Sequence, residues 1–341
     1  MGVTIKDIAE KTGVSRGTVD RALHNRGRID PQVAQRIRET AQDMGYIPRK
    51  RKQPEKKNNV IKIGVVTQLA KSSFMIEVCR GIEKAGQELL DRGIELILKQ
   101  GVSVDEKEQL ALIEELEQEE INGLAIMPVD CESIRMKLNF LTEEKEIPVV
   151  TFNSDIVGTK RLCFVGMDNR KSGRTAAGLL GLLTRGKGKI LIITGYFSNH
   201  VDNQRVDGFV EEMKVSYPEI EIAGVHGSFD ETAQVERIIE NVLKNDEEIN
   251  GILVVSGGQA GVGQAFEKLK LIKRPYVIIY DQTRKNEKAL MEDTVDFLID
   301  QNGYVQGYRP PYILADLLTK GEVPKGEFLF TDINIKTKYN L

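Results

Sequence analysis

Two arginines five positions apart, Arg16 and Arg21, have the chemistry of base recognition. A guanidinium can place two hydrogen bonds on the edge of a guanine, and hydroxyls such as those of Ser15 and Thr18 suit phosphate oxygens. The elements that must present them are legible around them. Within residues 4–23, Ile5, Ile8 and Ala9 recur at helical spacing, Gly13 interrupts, and Val14, Val19, Ala22 and Leu23 restart the period. That pattern predicts helix, tight turn, helix, with Ser15 as the N-cap of the second helix. In a helix-turn-helix the second helix enters the major groove and its N-terminal residues, here Arg16, Gly17 and Thr18, meet base edges. Arg21 follows one turn later. An ordinary helical hairpin with surface arginines would look similar, and charge separates the two readings. Residues 1–57 carry 14 Lys+Arg against 7 Asp+Glu, whereas the remainder carries 34 against 44. A basic head on an acidic body is what nucleic-acid binding requires, and a solvated basic tail would lack the periodic apolar residues.

A third helix is expected from Asp30 as N-cap and Pro31 at the first helical position. Its apolar face is read as Val33, Ile37, Ala41 and Met44, ended by Gly45, with Tyr46, Ile47 and Pro48 leading out. Residues 49–59 (RKRKQPEKKNN) are charged and lack apolar side chains, the composition of a linker. The basic run that opens it, including Arg49 and Arg51, can grip phosphates. The expected division is a DNA-binding domain over 1–48, a basic linker or hinge over 49–59, and an effector-binding domain over 60–341.

A second group of residues lies at the ends of short apolar runs. From Val60 onward such runs alternate with amphipathic stretches, at 61–67, 94–99, 123–128, 148–153, 162–165, 189–194, 221–225, 251–256 and 276–280. Between them lie helical patterns such as 74–90 and 106–119. Repeated βα units predict parallel sheets with helices on both faces, and a body of this size divides into two lobes. Ligands on such sheets bind at the carboxyl ends of the strands. Those positions hold residues 67–74, Asn153, Ser154 and Asp155, residues 195–199, Phe229, residues 257–259, and Asp281 with Gln282. The mixture of hydroxyl, amide and carboxylate groups with a few aromatics suits a polyhydroxylated ligand. Arg205, opening the RVDGF segment, adds a rigid donor fork. Polar loops are common in any such fold, so the mixture alone leaves an unspecialised surface open.

Other chemistries are excluded or disfavoured. The SGGQAGVG stretch follows a strand pattern, yet its glycines do not spell a dinucleotide fingerprint and no Lys-Ser/Thr makes a P-loop. No nucleophile–base arrangement is visible, so no enzyme is expected. His24, His200 and His226 lack metal-ligand spacing, and Cys79, Cys131 and Cys163 are three, widely spaced and without CxxC. Neither metal nor cofactor is expected, and the thiols should be reduced. No apolar run reaches the length of a membrane span and the N-terminus is charged, which predicts a cytoplasmic protein without membrane contact.

The motifs D-I-A, G-V-S and T-V-x-R-x-L, then a third helix and G-Y-x-P, resemble the head of lactose-repressor-type (LacI) transcription regulators. That resemblance implies base reading by Arg16, Gly17 and Arg21, and phosphate contacts near Thr4, Ser15, Thr18 and Asn25. Two departures stand out: Gly17 has no side chain for readout, and Asp20 replaces the more usual serine. The linker also lacks the family's A-R-x-L hinge helix, with Lys52, Gln53, Pro54 and Glu55 in its place.

The body is similar to ribose-type periplasmic sugar-binding proteins through IPVVTFNSD, R-x-D-G-F, the Asp after IIY and the Gln after FLID. This implies Asn153, Arg205, Asp281 and Gln301 as polar contacts and Phe74 and Phe229 as aromatic walls. Met75 stands in for a second aromatic, Ser72 for an amide and Gly257 for a polar contact, with Ser154 adjoining. Chain crossings between lobes are expected near Val165, Gln301 and Gly326, giving one lobe from about 60–165 and 302–326 and the other from about 166–301 and 327–341. The resemblance further implies a homodimer on double-stranded operator DNA, regulated by a small sugar or polyol and most simply a repressor. A solute-binding protein of a sugar transporter, or a regulator answering a non-sugar metabolite, are the alternatives.

Overall fold

The computed structural model describes residues 3–23, 29–46 and 60–341. The chain divides into two units, Met1–Asn59 and Val60–Leu341.

In the first unit, α1 (Ile5–Thr12), α2 (Arg16–Leu23) and α3 (Pro31–Asp43) follow one another. Each start is built from side-chain chemistry. Thr4 Oγ1 accepts from the Asp7 N–H while the Asp7 carboxylate accepts from the Thr4 N–H, a reciprocal cap on α1. Gly13 takes the left-handed conformation (φ 69°) that ends the helix. Ser15 Oγ accepts from the Thr18 N–H at 3.1 Å, and Asp30 Oδ1 accepts from the N–H groups of Gln32 and Val33. The core is Ile8, Val19, Ala22, Ala34, Ile37 and Ala41. The inner face of α3 therefore runs through Ala34, with Val33 and Met44 only half-buried at its margin. A small residue at 34 lets three short helices approach closely. Asn25, Arg49 and Arg51 lie outside the described residues.

The second unit begins with β1 (Ile61–Thr67), α4 (Met75–Leu90), β2 (Ile94–Gln100), α5 (Glu106–Gln118), β3 (Gly123–Ile126), α6 (Glu132–Glu143), β4 (Val149–Phe152) and β5 (Cys163–Met167). It continues through α7 (Asn169–Leu183), β6 (Gly188–Thr194), α8 (His200–Ser216), β7 (Ile220–Gly227), α9 (Thr232–Asn245), β8 (Ile249–Val254), α10 (Ala260–Leu269), β9 (Tyr276–Tyr280), α11 (Arg284–Met291) and β10 (Phe297–Asp300). It ends with α12 (Gly303–Lys320), β11 (Phe328–Thr331) and β12 (Asn334–Lys336).

Two six-stranded sheets result, ordered β11-β5-β4-β3-β1-β2 and β12-β10-β9-β8-β6-β7. All pairings are parallel except β12 on β10. Central strands such as Val149–Phe152 are buried throughout, as expected of parallel strands covered on both faces. Each sheet is sandwiched between two apolar layers, one around Ile63, Val65 and Phe152 and another around Ile113 and Leu124 in the first. In the second they form around Ile190 and Phe209, and around Val235 and Ile279.

The chain passes between sheets three times. The first crossing follows Met167, since all of β5 belongs to the first sheet, and the second lies at Gln301 and Asn302. The third differs from the expected position near Gly326. β11 pairs with β5 from Phe328↔Phe164 to Thr331↔Met167, so the chain leaves the first lobe only between Thr331 and Asn334. Residues 327–331 thus belong to the first lobe, because an edge strand beside β5 satisfies backbone groups that would otherwise be left open.

Candidate functional site

In the head, α2 turns Val19 and Ala22 into the core and leaves Arg16, Gly17 and Arg21 exposed. The Arg21 guanidinium nitrogen would lie 3.8 Å from a Cβ at Gly17, so it covers the bare backbone there. Ser15 and Thr18 share a hydroxyl–hydroxyl bond of 2.9 Å at the helix start. Thr4 already uses its hydroxyl in the α1 cap, donating to Asp7 at 2.7 Å. The exposed face is a contiguous set of guanidinium, backbone and hydroxyl donors.

In the body, the two lobes enclose a cleft of about 510 Å³. The structure brings to it all ten residues expected there: Ser72, Phe74, Met75, Asn153, Ser154, Arg205, Phe229, Gly257, Asp281 and Gln301. They come from loops at the carboxyl ends of strands and from the first turns of α4 and α8. Met75 is 2% exposed and packs mainly in the first lobe's core. Ser154 points its hydroxyl at the Pro128 carbonyl (2.9 Å), bracing the loop after β4.

The backbone here is held in an uncommon conformation. Asn153, Phe229, Asp230 and Asp281 all have φ between 55° and 72°. Asn and Asp tolerate this region, but a bulky Phe229 there is strained, and such strain concentrates at binding sites. At Asp281 the turn is pinned because its carbonyl accepts from Asn286 Nδ2 (2.8 Å) and the Thr283 N–H (3.0 Å).

Arg205 is 3% exposed and fixed on three sides. It donates to Asn169 Oδ1 (3.0 Å), the Val255 carbonyl (2.7 Å) and Gln301 Oε1 (3.2 Å), with its guanidinium 4.3 Å above the Tyr280 ring. Three of its five N–H donors are thereby used, leaving two for a ligand. α8 can hold it there because α7 and α8 touch backbone to backbone. A Cβ on Gly173 would lie 2.0 Å from the Arg205 carbonyl oxygen, and one on Gly208 would lie 2.1 Å from that of Arg170.

Gln301, at the second crossing, donates to Asp281 (2.6 Å). Gln306 of α12 accepts from Asn153 (3.0 Å) and donates to the Gln301 carbonyl (2.7 Å). A single amide network thus joins the first lobe's Asn153 to the second lobe's Arg205 and Asp281 through the hinge.

Two cleft carboxylates were not anticipated, while Tyr196 falls within the expected 195–199 loop. Asp202 and Asp230 line the cleft, and Tyr196 packs edge-on against Phe229 at 5.4 Å. Asp202 lies three residues before Arg205, the spacing that shares a helix face, and this was the available sign. Burial pushes the Asp202 carboxyl up to about 7 against the lowering pull of Arg205, and burial likewise raises Asp281. Buried Asp202 Oδ2, Gln68 Oε1 and Ser256 Oγ have no hydrogen-bond partner. Unsatisfied polar atoms facing a cleft mark places for a ligand or ordered water.

Two lobes around a polar cleft with a hinge at its base define the periplasmic-binding type of ligand-binding protein. Residues 63–322 match the family described as "Periplasmic binding protein domain" and residues 4–49 match "Bacterial regulatory proteins, lacI family". The chain belongs to the periplasmic-binding-protein domain family through residues 63–322, and its residues 4–49 carry a LacI-family head.

It is similar to the HTH-type transcriptional repressor PurR of Klebsiella pneumoniae, 27% identical over 67% of this chain and 64% of that one. The match therefore spans a little under two thirds of that relative's length. It is also similar to the sucrose operon repressor of Lactococcus lactis, 26% identical over 70% of this chain and 72% of the relative. In fold it resembles GanP, a glucose-galactose binding protein from Geobacillus stearothermophilus. The TM-score is 0.75 at 23% identity, covering 83% of this chain and 99% of GanP.

Proposed function

We propose that the protein is a sequence-specific transcription regulator, acting as a repressor, whose operator affinity is set by a small sugar or polyol in the interlobe cleft. The observation that carries this reading is the convergence of ten residues from both lobes on one polar cleft, in a chain that also bears a LacI-family head. The volume lies within the range typical of small-molecule sites. The repressors of similar sequence support a regulatory role rather than turnover, and the head favours regulation over solute transport.

In mechanism, α2 presents Arg16 and Arg21 to base edges while the Ser15 and Thr18 hydroxyls and basic side chains hold phosphates. The ligand bridges the lobes through the Asn153–Gln301–Asp281–Arg205 network and favours one lobe arrangement. It shifts the equilibrium only by its differential affinity for the two arrangements. In a homodimer a change of lobe arrangement alters the spacing of two heads, whose half-sites lie a helical turn apart.

The test is a thermal-shift screen of the purified full-length protein against pentoses, hexoses, their phosphates, inositols and other polyols, followed by an operator-release assay. A ligand that raises the melting temperature and changes operator affinity supports the reading. Absence of any such ligand, with operator binding intact, overturns the sugar or polyol effector.

A further inference from the structure

The deep wall of the cleft is more acidic than a neutral polyol requires. Asp202, Asp230 and Asp281 line it, and the buried cation among them is Arg205, which donates to Asn169, Val255 and Gln301. Lys71 and Lys285 also line the cleft but are exposed. Asp202 sits in the first turn of α8, is 3% exposed, and forms no ion pair among the described residues. Its Oδ2 accepts no hydrogen bond.

Gly195, just after β6, shows how closely Asp202 and Asp230 converge. A Cβ there would lie 2.5 Å from Asp230 Oδ1 and 3.0 Å from Asp202 Oδ2. Any side chain at 195 would fill the space that the two carboxylates share. Asp230 is held by the Gly257 N–H at 2.8 Å, which anchors one member of the pair. Gln68 Oε1, also buried and unpartnered, is a further acceptor on the cleft.

Resting on the reading of this cleft as a sugar or polyol site, we propose that the effector carries a protonated amine seated between Asp202 and Asp230, making it an amino sugar or amino polyol. An ammonium brings three donors and one positive charge. A hydroxyl brings one donor and leaves a buried carboxylate uncompensated, which is costly. Burial raises the Asp202 pKa despite the opposing pull of Arg205, and a bound ammonium would favour its ionised form.

The experiment is calorimetric titration of the full-length protein at pH 7 with matched probes. These are D-glucosamine, D-galactosamine and D-mannosamine, each beside its parent hexose and N-acetyl derivative, and 1-amino-1-deoxy-D-sorbitol beside sorbitol. At least one amine is expected to bind tenfold or more tighter than both its hydroxyl and N-acetyl counterparts. Asp202→Asn should abolish that preference. Equal or tighter binding of the neutral partner in every pair overturns the amine and leaves the sugar reading standing, as does a preference that survives D202N. No binding by any probe overturns both.

Discussion

Replacing Asp202 by Asn should stabilise the ligand-free protein in a pH-dependent way. The folded-state carboxyl titrates at about 7 against a reference of 3.8, because burial opposes its ionisation. Between those values the folded chain holds a proton that the unfolded chain has released, so wild-type stability falls as pH rises through the window. At roughly 1.4 kcal/mol per pH unit, the full cost of ionising Asp202 is on the order of 4 kcal/mol. Asn has nearly the same shape and no such cost. The two proteins should therefore be close in stability at pH 4, and D202N should be more stable by about 4 kcal/mol at pH 8. Asp281, also raised by burial, is present in both proteins, so its contribution largely cancels in the difference. Urea unfolding followed by tyrosine fluorescence suits this comparison. The chain has no tryptophan, and eight of its nine tyrosines lie beyond residue 59. A stability difference that does not change between pH 4 and 8 would refute the desolvated, unpaired state of Asp202.

Arg16→Ala and Arg21→Ala should each weaken specific operator binding by about 1–3 kcal/mol. Unchanged affinity in a gel-shift titration on the preferred operator would remove α2 from the groove. Asp281→Asn keeps a residue that tolerates the left-handed turn but removes the charge held against Gln301. Ligand affinity should fall at least tenfold while ligand-free operator binding stays intact, and a variant that responds at ordinary concentrations contradicts the site. Gly173→Ala places a methyl 2.0 Å from the Arg205 carbonyl oxygen. Separating α7 from α8 should cost about 1–3 kcal/mol and weaken ligand binding by displacing Arg205. Unfolding and titration data both matching wild type would show that these helices are not in the described contact.

Much of this architecture was readable from local pattern. All nine expected strands overlap observed ones, since fully buried parallel strands leave continuous apolar runs bounded by polar turns. β11 and β12 escaped because they are short and partly exposed at the sheet edges, leaving no continuous buried apolar run. The head's capping residues Ser15, Asp30 and Pro31 act through neighbours two or three positions away, so sequence alone shows what they do.

The cleft divides along the same line. Residues at strand ends, such as Asn153, Phe229 and Asp281, are positioned by the general rule that parallel sheets open a crevice at their carboxyl edge. Their gathering around one cleft follows from that rule together with the crossings. Asp202 follows from neither. Its burial depends on α8 lying backbone to backbone on α7 through Gly173 and Gly208, and its closeness to Asp230 depends on the absence of a side chain at Gly195. The return of β11 to the first sheet is likewise a matter of long-range pairing with β5. Sequence by itself determined the elements, their caps and the kinds of groups at the strand ends, because those are short-range consequences of residue type. Tertiary structure alone decided which carboxylates are brought face to face around Arg205, because that depends on how closely distant backbones can approach.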